Sequence, residues 1–404
     1  MINPLFFGFP VTDVSPPRIG SLRIYPYDDR AMVNFVNAAA TFRVEGSAGR
    51  YKLATTDTIL VSGNLYFGIE VSDDPEGSSI RSGVNSIVLM VDSTEYFSQE
   101  IDRFSFSETR YVNALIDYAL FVTYNRKVQR SYLAANNNLD IYGPVINRGI
   151  INFTDSRAHR IRYRIKDASG NVSTLEFWLR SHLPPPIRKE NGKAEEGTFF
   201  SCKASNHFTA PGIDLEIPAD ALYEDLWFLY SVLNPPALCK SPVHVVHSPT
   251  VPLQKAATLW IRPDSIPPEL ASRAVIVKIG ENGKFESMGG EWEEGAVMTR
   301  IREFGRYSVR LDTVPPVIRA VNLYPGKTVT RQNSFLVKIS DNLSGISSYR
   351  GTLNGKWILM DYDAKNNLLK YEFDDRIHPG KNLFRLVVSD GRGNRSVYEA
   401  TVTR

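Results

Sequence analysis

The chain of 404 residues is longer than one β-sandwich core sustains, and because all-β modules often run near ~100 residues, its length predicts three domains. With 43% hydrophobic and 23% charged residues, the composition excludes a disordered chain, and no apolar run is long enough for a transmembrane segment. The net charge is +3 and the basic residues are scattered along the chain, which argues against nucleic acid as a partner.

The first residues do not resemble a secretory signal. Residues 1–4 carry no basic segment, and the apolar run at 5–11 is broken by Gly8 and Pro10. Two interpretations stay open at this point: a cytosolic chain, or a chain whose true N-terminus lies further upstream.

Three motifs occur twice, in the same order. The string D-x-x-P-P-x-I stands at residues 13–19 and 312–318, and D-x-x-G-N-x-S stands at 167–173 and 390–396, between alternating strands. The second string is typical of a β-hairpin, because Asp accepts turn amides while Gly and Asn tolerate positive φ. A third pair consists of strands that end in S-D-D at 72–74 and S-D-N at 340–342. The repeats predict Ig-like β-sandwiches at 13–182 and 312–404.

The first copy carries an insertion. Its opening and hairpin motifs are 154 residues apart, against 78 in the last copy, so about 76 residues are extra. Most of them fall at about 100–152, a segment rich in aromatic residues whose secondary structure the sequence does not decide. Phe104, Phe106 and Tyr111 are the aromatic candidates for a binding surface.

A different β module separates the copies. Residues 183–196 are rich in proline and then in charge, which predicts a linker. Residues 197–311 alternate as a second type of β-sandwich, and the only helical hint is short, at 219–222. Its strands are predicted at 212–217, 227–232, 256–261, 274–279 and 306–311. The fold class predicted for the whole chain is therefore all-β, with three sandwich modules.

No complete catalytic motif occurs in the sequence. His244 and His247 form the only histidine cluster, and in a strand positions i and i+3 face opposite sides, so they are not expected to share a metal. Cys202 and Cys239 either pair in an oxidising compartment or remain buried free thiols, and both readings stay open. We expect this chain not to be an enzyme, with no catalytic residue.

Aspartates in two of the loops are weak candidates for calcium ligands. Asp73, Asp74 and Asp341 lie in loops that follow a strand in both Ig-like copies, and carboxylate oxygens suit this ion. The EF-hand spacing is absent, so turn stabilisation is the first interpretation of these residues and weak calcium ligation the second.

Four ordered strings, at 3–13, 102–111, 341–346 and 355–363, resemble the region that follows the catalytic domain in exported LytM/lysostaphin-type zinc metallopeptidases of Bacteroidota. The likeness spans essentially the whole chain. The middle module, through residues 217–223, 258–261 and 304–309, resembles the ZU module of ankyrins and netrin receptors, a non-enzymatic sandwich used in protein contacts. Catalysis in the peptidase family needs H-x-x-x-D and H-x-H, and this sequence contains neither.

The resemblance implies a multidomain cell-envelope protein, exported to the periplasm or envelope. Residues 1–12 would be a linker from a missing upstream domain, and zinc would belong to that peptidase domain alone, so no cofactor is expected in this chain. Expected partners are the upstream peptidase domain or envelope proteins, with peptidoglycan or another glycan as a further candidate. The leading hypothesis is a non-catalytic region that binds and positions a peptidoglycan metalloendopeptidase.

A stand-alone adhesin or carbohydrate-binding protein is the alternative. Aromatic side chains that stack on sugars would carry this function, and the sequence favours placing most of these tryptophans in the core instead: Trp178, Trp260, Trp292 and Trp357. A third and weaker hypothesis is an enzyme that uses paired carboxylates.

Overall fold

The computed structural model describes residues 2–7, 13–73, 82–183 and 196–404. Strands make up 53% of the chain and helices 7%, which confirms the all-β prediction. Within the described residues, no helix has both the length and the apolar character needed to cross a membrane. Most of the linker predicted at 183–196, half of the one at 1–12, and Asp74 lie outside the described residues.

The strands are numbered in chain order. Those of the first third are β1 Arg18–Pro26, β2 Met32–Val33, β3 Ala40–Ser47, β4 Arg50–Leu53, β5 Ile59–Ser72, β6 Ser86–Val91, β7 Thr94–Glu100, β8 Val128–Ser131, β9 Tyr142–Val145, β10 Ile151–Phe153, β11 Ala158–Lys166 and β12 Val172–Ser181. The middle third contains β13 Thr198–Phe200, β14 Asn206–Ala210, β15 Ile213–Ile217, β16 Leu226–Phe228, β17 Tyr230–Leu233, β18 Val243–Val246, β19 Pro252–Ile261, β20 Ala274–Ile279, β21 Phe285–Gly289, β22 Glu291–Glu293, β23 Ala296–Glu303 and β24 Gly305–Leu311. The last third contains β25 Val317–Ala320, β26 Ser334–Ser340, β27 Ile346–Leu353, β28 Lys356–Ile358, β29 Asp361–Asp363, β30 Leu368–Glu372, β31 Lys381–Asp390 and β32 Arg395–Thr403.

The chain divides into two compact units. One comprises Met1–Ser205, Pro218–Phe228 and Ser248–Lys255, and the other comprises Asn206–Ile217, Leu229–His247 and Ala256–Arg404. The first unit contains the N-terminal repeat and its insertion, and the second contains the C-terminal repeat. The middle segment contributes residues to both units.

In the first unit, twelve strands form one hydrogen-bonded network around a shared apolar core. Its main path runs β10-β5-β1-β3-β4-β12-β11-β6-β7-β9, with β2 and β8 paired to β5. Strand β5 changes partners along its length: its start pairs with β2 and β12, and its end pairs with β1 and β8. Gly63 lies between these halves with φ of 76°, and a Cβ there would lie 2.9 Å from Ala31 Cα. A larger residue would therefore disrupt the bend that joins the two halves.

The insertion consists of short helices and short strands. A 3-10 helix at Phe106–Tyr111 begins at a capping box in which Ser105 and Glu108 exchange hydrogen bonds. Helices α1 (Val112–Leu115) and α2 (Tyr118–Tyr124) follow, and β8, β9, a 3-10 turn at Asn147–Gly149 and β10 complete the insertion. These elements are too short to show helical or strand periodicity, which is why the sequence did not assign them.

The middle segment contains the predicted strands. The strand predicted at 274–279 is β20 itself, and those at 212–217, 256–261 and 306–311 correspond to β15, β19 and β24, while the one at 227–232 is divided between β16 and β17. The helix predicted at 219–222 is wrong. Asp220 has φ of 60° and the Ala221 amide donates to Pro218 O, so this segment is a turn whose backbone leaves the helical region.

The C-terminal repeat consists of two four-stranded sheets, β25-β26-β30-β29 and β28-β27-β31-β32. Apolar side chains alternate inward along β26 and β31, so Phe335, Val337 and Ile339 from one sheet share a buried cluster with Phe384, Leu386 and Val388 from the other. The other face of these strands is mixed: polar residues such as Lys338 and Arg385 alternate there with apolar ones such as Leu383.

Candidate functional site

The first unit contains a cleft of about 920 Å³. Strands β1, β3 and β5 supply one part of its lining, together with residues 82–83. The insertion supplies another part, including the apolar side chains of Ile101, Leu115 and Ile141. The insertion thus turns a sheet face into a concave surface, which is the usual form of a ligand site.

Basic side chains predominate among the charged residues that line this cleft. Among the residues that the structure describes, they are Arg18, Arg43, Arg126 and Lys127, against one carboxylate, that of Glu70. Arg126 lies 2.6 Å from Glu70 and donates a 3.0 Å hydrogen bond to Ser21 Oγ. The hydrogen bond with Glu70 raises the pKa of Arg126. The described lining residues therefore carry a net positive charge, which suits a ligand that carries carboxylate groups.

The three aromatic candidates of the insertion lie in different surroundings. Phe104 lines the cleft, whereas Phe106 is 77% exposed on the capped 3-10 helix. Tyr111 packs against Tyr223 at a ring distance of 6.1 Å, and its hydroxyl accepts a hydrogen bond from Asn138. Phe104 is therefore the candidate that the geometry connects with a cavity.

A second, smaller cavity of the first unit contains a tyrosine stack and a cysteine. Tyr66 and Tyr132 stack at 4.6 Å, and the Tyr132 hydroxyl donates to Glu224 and accepts from Arg148. Cys202 also lines this cavity, and burial, reinforced by Asp225, raises the pKa of its thiol to about 11. A thiol with that pKa stays protonated near neutral pH, which is the opposite of what a nucleophile requires. Both Cys202 and Cys239 are free.

The clustered histidines do not share a site. His244 is buried in β18 and contacts the Tyr230 hydroxyl through Nδ1, and burial lowers its pKa to about 4. His247 follows the strand, and its Nδ1 accepts from the Leu229 amide. Each ring therefore has its own protein partner.

His159 has a different environment, between two carboxylates. Its Nδ1 lies 3.0 Å from Asp92 and its Nε2 lies 2.9 Å from Asp155. Burial lowers the pKa of the imidazole, but the two carboxylates outweigh burial and raise it above the usual value. Because both ring nitrogens face acceptors, the arrangement favours the doubly protonated imidazolium.

The expectation that most of the tryptophans lie in the core is wrong. Trp178 is 58% exposed, Trp357 is 49% exposed and Trp292 is 36% exposed. The sequence of β12 already indicated this exposure. Trp178 alternates with the buried residues Phe177 and Leu179. It therefore lies on the same face of the strand as the charged Glu176 and Arg180.

The repeated motifs bring aspartates together in both Ig-like copies. One group comprises Asp13, Asp73 and Asp167, and the other comprises Asp312, Asp341 and Asp390. In each group, one oxygen from every carboxylate lies within 4.8 Å of the others. Sequence reasoning proposed Asp73 and Asp341 but not the other four residues. The available signal was that each of the three repeated motifs contains an aspartate.

Asparagines of the hairpin motif connect these groups. Asn394 Nδ2 donates to Asp390 Oδ2 at 2.7 Å and to the Asp312 carbonyl at 3.0 Å. Asn171 makes the equivalent bonds in the first copy, to Asp167 at 2.8 Å and to the Asp13 carbonyl at 3.1 Å. The hairpin motif of each copy therefore binds the opening motif of the same copy.

Together, these features define a multi-module β protein with a cleft on its first unit and an aspartate triad in each repeat. Residues 197–312 match the Zu5-like domain family, which supports the ZU-like interpretation of the middle module. No curated protein matches the sequence significantly.

Three solved bacterial structures are weakly similar to this chain. The fibronectin(III)-like modules of Clostridium thermocellum CbhA are 10% identical over 43% of this chain and 93% of theirs, with a TM-score of 0.19. A bacterial ice-binding adhesin is 9% identical over 85% of this chain and 91% of its own, with a TM-score of 0.15. Bacteroides ovatus SGBP-B, in complex with a mixed-linkage heptasaccharide, is 9% identical over 94% of this chain and 71% of its own, with a TM-score of 0.15. At these scores the likenesses carry no functional argument, and the fold class rests on the strands described above.

Proposed function

We propose that this chain is the non-catalytic binding and positioning region of a cell-envelope peptidoglycan metalloendopeptidase, located in the periplasm or envelope. The observation that carries the binding function is the cleft on the first unit, which the insertion builds and basic side chains line. The link to a peptidase rests on the resemblance of the four ordered sequence strings.

The chemistry of the described residues supports a binding role. The paired histidines each have a separate partner, and the Cys202 thiol is protonated near neutral pH. The Zu5-like segment adds a module type that resembles those used in protein contacts. Peptide stems of peptidoglycan carry carboxylate groups, so the positive lining of the cleft suits them as ligands.

The binding experiment uses the full chain and purified peptidoglycan. We expect the chain to sediment with sacculi and to release no muropeptides. The double variant Arg43→Ala/Lys127→Ala removes two cations from the cleft lining, and binding should fall at least tenfold.

A matched control removes the same charge elsewhere in the same unit. Lys52 is 74% exposed and Arg157 is 77% exposed, and neither lines the cleft. The variant Lys52→Ala/Arg157→Ala should bind as the wild type does. Equal losses of peptidoglycan binding in the two double variants would show that binding depends on the net charge of the protein and not on the cleft. Release of muropeptides that zinc chelation abolishes would overturn the non-catalytic role.

The exposed tryptophans favour a second candidate, a stand-alone adhesin or carbohydrate-binding protein. Trp178 and Trp357 are about half exposed, and exposed aromatic rings stack on sugars. In a soluble glycan panel, this candidate predicts a ligand whose binding Trp178→Ala or Trp357→Ala abolishes. A panel in which no glycan binds would remove it.

A further inference from the structure

The C-terminal repeat contains three clustered carboxylates, and the described residues satisfy only some of their oxygens. Asp312 is 1% exposed and Asp390 is 2% exposed, so two of the three residues are almost fully buried. One oxygen from each lies within 4.8 Å of the others, which brings three negative charges together in a region of low dielectric. Such a group needs a compensating cation.

Backbone amides account for only part of the hydrogen-bonding capacity. Asp341 Oδ2 accepts from the Leu343 and Gly345 amides, Asp312 Oδ2 accepts from the Ser344 amide, and Asp390 uses both of its oxygens. The other oxygens, Asp312 Oδ1 and Asp341 Oδ1, are buried and have no hydrogen-bond partner. An open carboxylate oxygen on a residue that is 1% exposed is costly without a ligand.

Arg392 is the nearest candidate for an internal counterion. Its charge interacts with Asp312 and Asp390, but its buried Nε has no hydrogen-bond partner. Because Asp312 Oδ1 has no donor of any kind, the guanidinium does not saturate the site. The corresponding position of the first repeat is Ser169, so the triad of that copy has no arginine at this place.

From these observations we infer that Asp312, Asp341 and Asp390 form a calcium site. Ca²⁺ binds oxygen ligands at ~2.3–2.6 Å, so two ligands on opposite sides are at most about 5 Å apart, and the 4.8 Å limit within the triad fits. The donor set contains only oxygen, which disfavours zinc. Mg²⁺ usually keeps several water ligands, and the burial of Asp312 and Asp390 disfavours it. The inference concerns this triad alone, because it contains two buried oxygens without a hydrogen-bond partner, Asp312 Oδ1 and Asp341 Oδ1.

The site lies where the third module begins, within the second unit. The Asp312 amide donates to the Arg273 carbonyl at 2.9 Å, and the Arg273 guanidinium donates to the Arg392 carbonyl. Calcium bound to the triad would therefore hold together the opening strand motif, the β26–β27 loop and the β31–β32 hairpin. The same loops contact the Zu5-like segment through Arg273, so the ion also braces the connection between these two modules.

Calorimetric titration of the full chain tests the site, after EGTA treatment and desalting. We expect CaCl₂ to bind, and MgCl₂ to bind at least tenfold more weakly. Asp341→Asn keeps the side-chain shape but removes a charge. In this variant, the binding of one calcium ion per chain should be lost, or its affinity should fall at least tenfold. Asp375→Asn is the matched control, because Asp375 lies in the same module, is 92% exposed and stands outside the triad. It should leave calcium binding unchanged.

Hydrogen exchange of the wild-type chain keeps the test valid if Asp341→Asn folds poorly. Calcium should slow exchange in peptides that cover 341–345 and 390–394. The inference is overturned if the wild type takes up no calcium, if Asp341→Asn binds as many equivalents with the same affinity, or if calcium protects only peptides outside these two loops.

Discussion

The pairing of His159 with two carboxylates predicts a pH-dependent contribution to the stability of the first unit. A histidine whose pKa is raised on folding stabilises the folded state fully below its unfolded pKa of ~6.5. The contribution is lost as the pH rises through the folded pKa. Wild-type protein should therefore lose part of its stability through this residue as the pH rises above ~6.5.

The magnitude follows from the exposure of the partners. The His159 side chain is 10% exposed, whereas Asp155 is 34% exposed and Asp92 is 54% exposed. Hydrogen bonds between buried charged groups contribute ~1.5–3 kcal/mol each, and exposed ion pairs contribute ~0–1 kcal/mol. Because water screens both acceptors here, we expect His159→Gln to reduce the free energy of unfolding by about 1–2 kcal/mol at pH 6 and by less at pH 8.5.

Two measurements check this prediction. Proton NMR titration of the imidazole C2–H, assigned with His159→Gln, should show a pKa above ~6.5. Urea unfolding of the wild type and the variant at pH 6 and pH 8.5 should show that their stability difference shrinks at the higher pH. His378→Gln, at an exposed histidine of another module, serves as the control. The stability difference between this variant and the wild type should be the same at pH 6 and at pH 8.5. A pKa below ~6.5, or parallel pH profiles for wild type and His159→Gln, would refute the reasoning.

Three further changes have defined outcomes. Asn394→Ala removes the amide bonds to Asp390 and to the Asp312 carbonyl and should destabilise the C-terminal repeat by ~1–3 kcal/mol, measured as faster hydrogen exchange in β31 and β32. Phe335→Ala leaves a cavity in the core of that repeat and should cost ~3–5 kcal/mol, seen as an earlier urea transition while exchange in β11 and β12 stays unchanged. His244 has a lowered pKa of about 4, so the unfolded state takes up a proton first and stability should fall as the pH drops from ~6.5 to 4; His244→Gln should lessen this fall, and an unchanged fall would contradict the assignment.

Local sequence patterns determined most of the strands and both hairpins. The hairpin string of Asp, Gly and Asn indicates a turn because its residues accept amides or adopt positive φ, and the structure has Asp167 and Asp390 bonded to the amides of Asn171 and Asn394. Strand β20 follows from its apolar residues and its flanks. These features depend on neighbours within a few residues, so one sequence is sufficient to predict them.

Two sequence features, the repeated aspartates and the position of Trp178 in its strand, could be interpreted fully only once the fold was known. Each repeated motif contains an aspartate, yet Asp312 and Asp390 are 78 positions apart in the chain, and only sheet pairing brings their carboxylates together. The face of a strand that Trp178 occupies could be read from the parity of its charged neighbours, whereas its 58% exposure depends on what covers that face.

The cleft was decided by tertiary structure alone. Its lining combines β1, β3 and β5 with an insertion whose elements are three to seven residues long, and such elements carry no periodicity that predicts their packing. Composition and repeats therefore predicted the all-β class of this protein. Long-range packing decided where its cavity and its carboxylate groups lie, because those positions depend on contacts between residues that are distant in the chain.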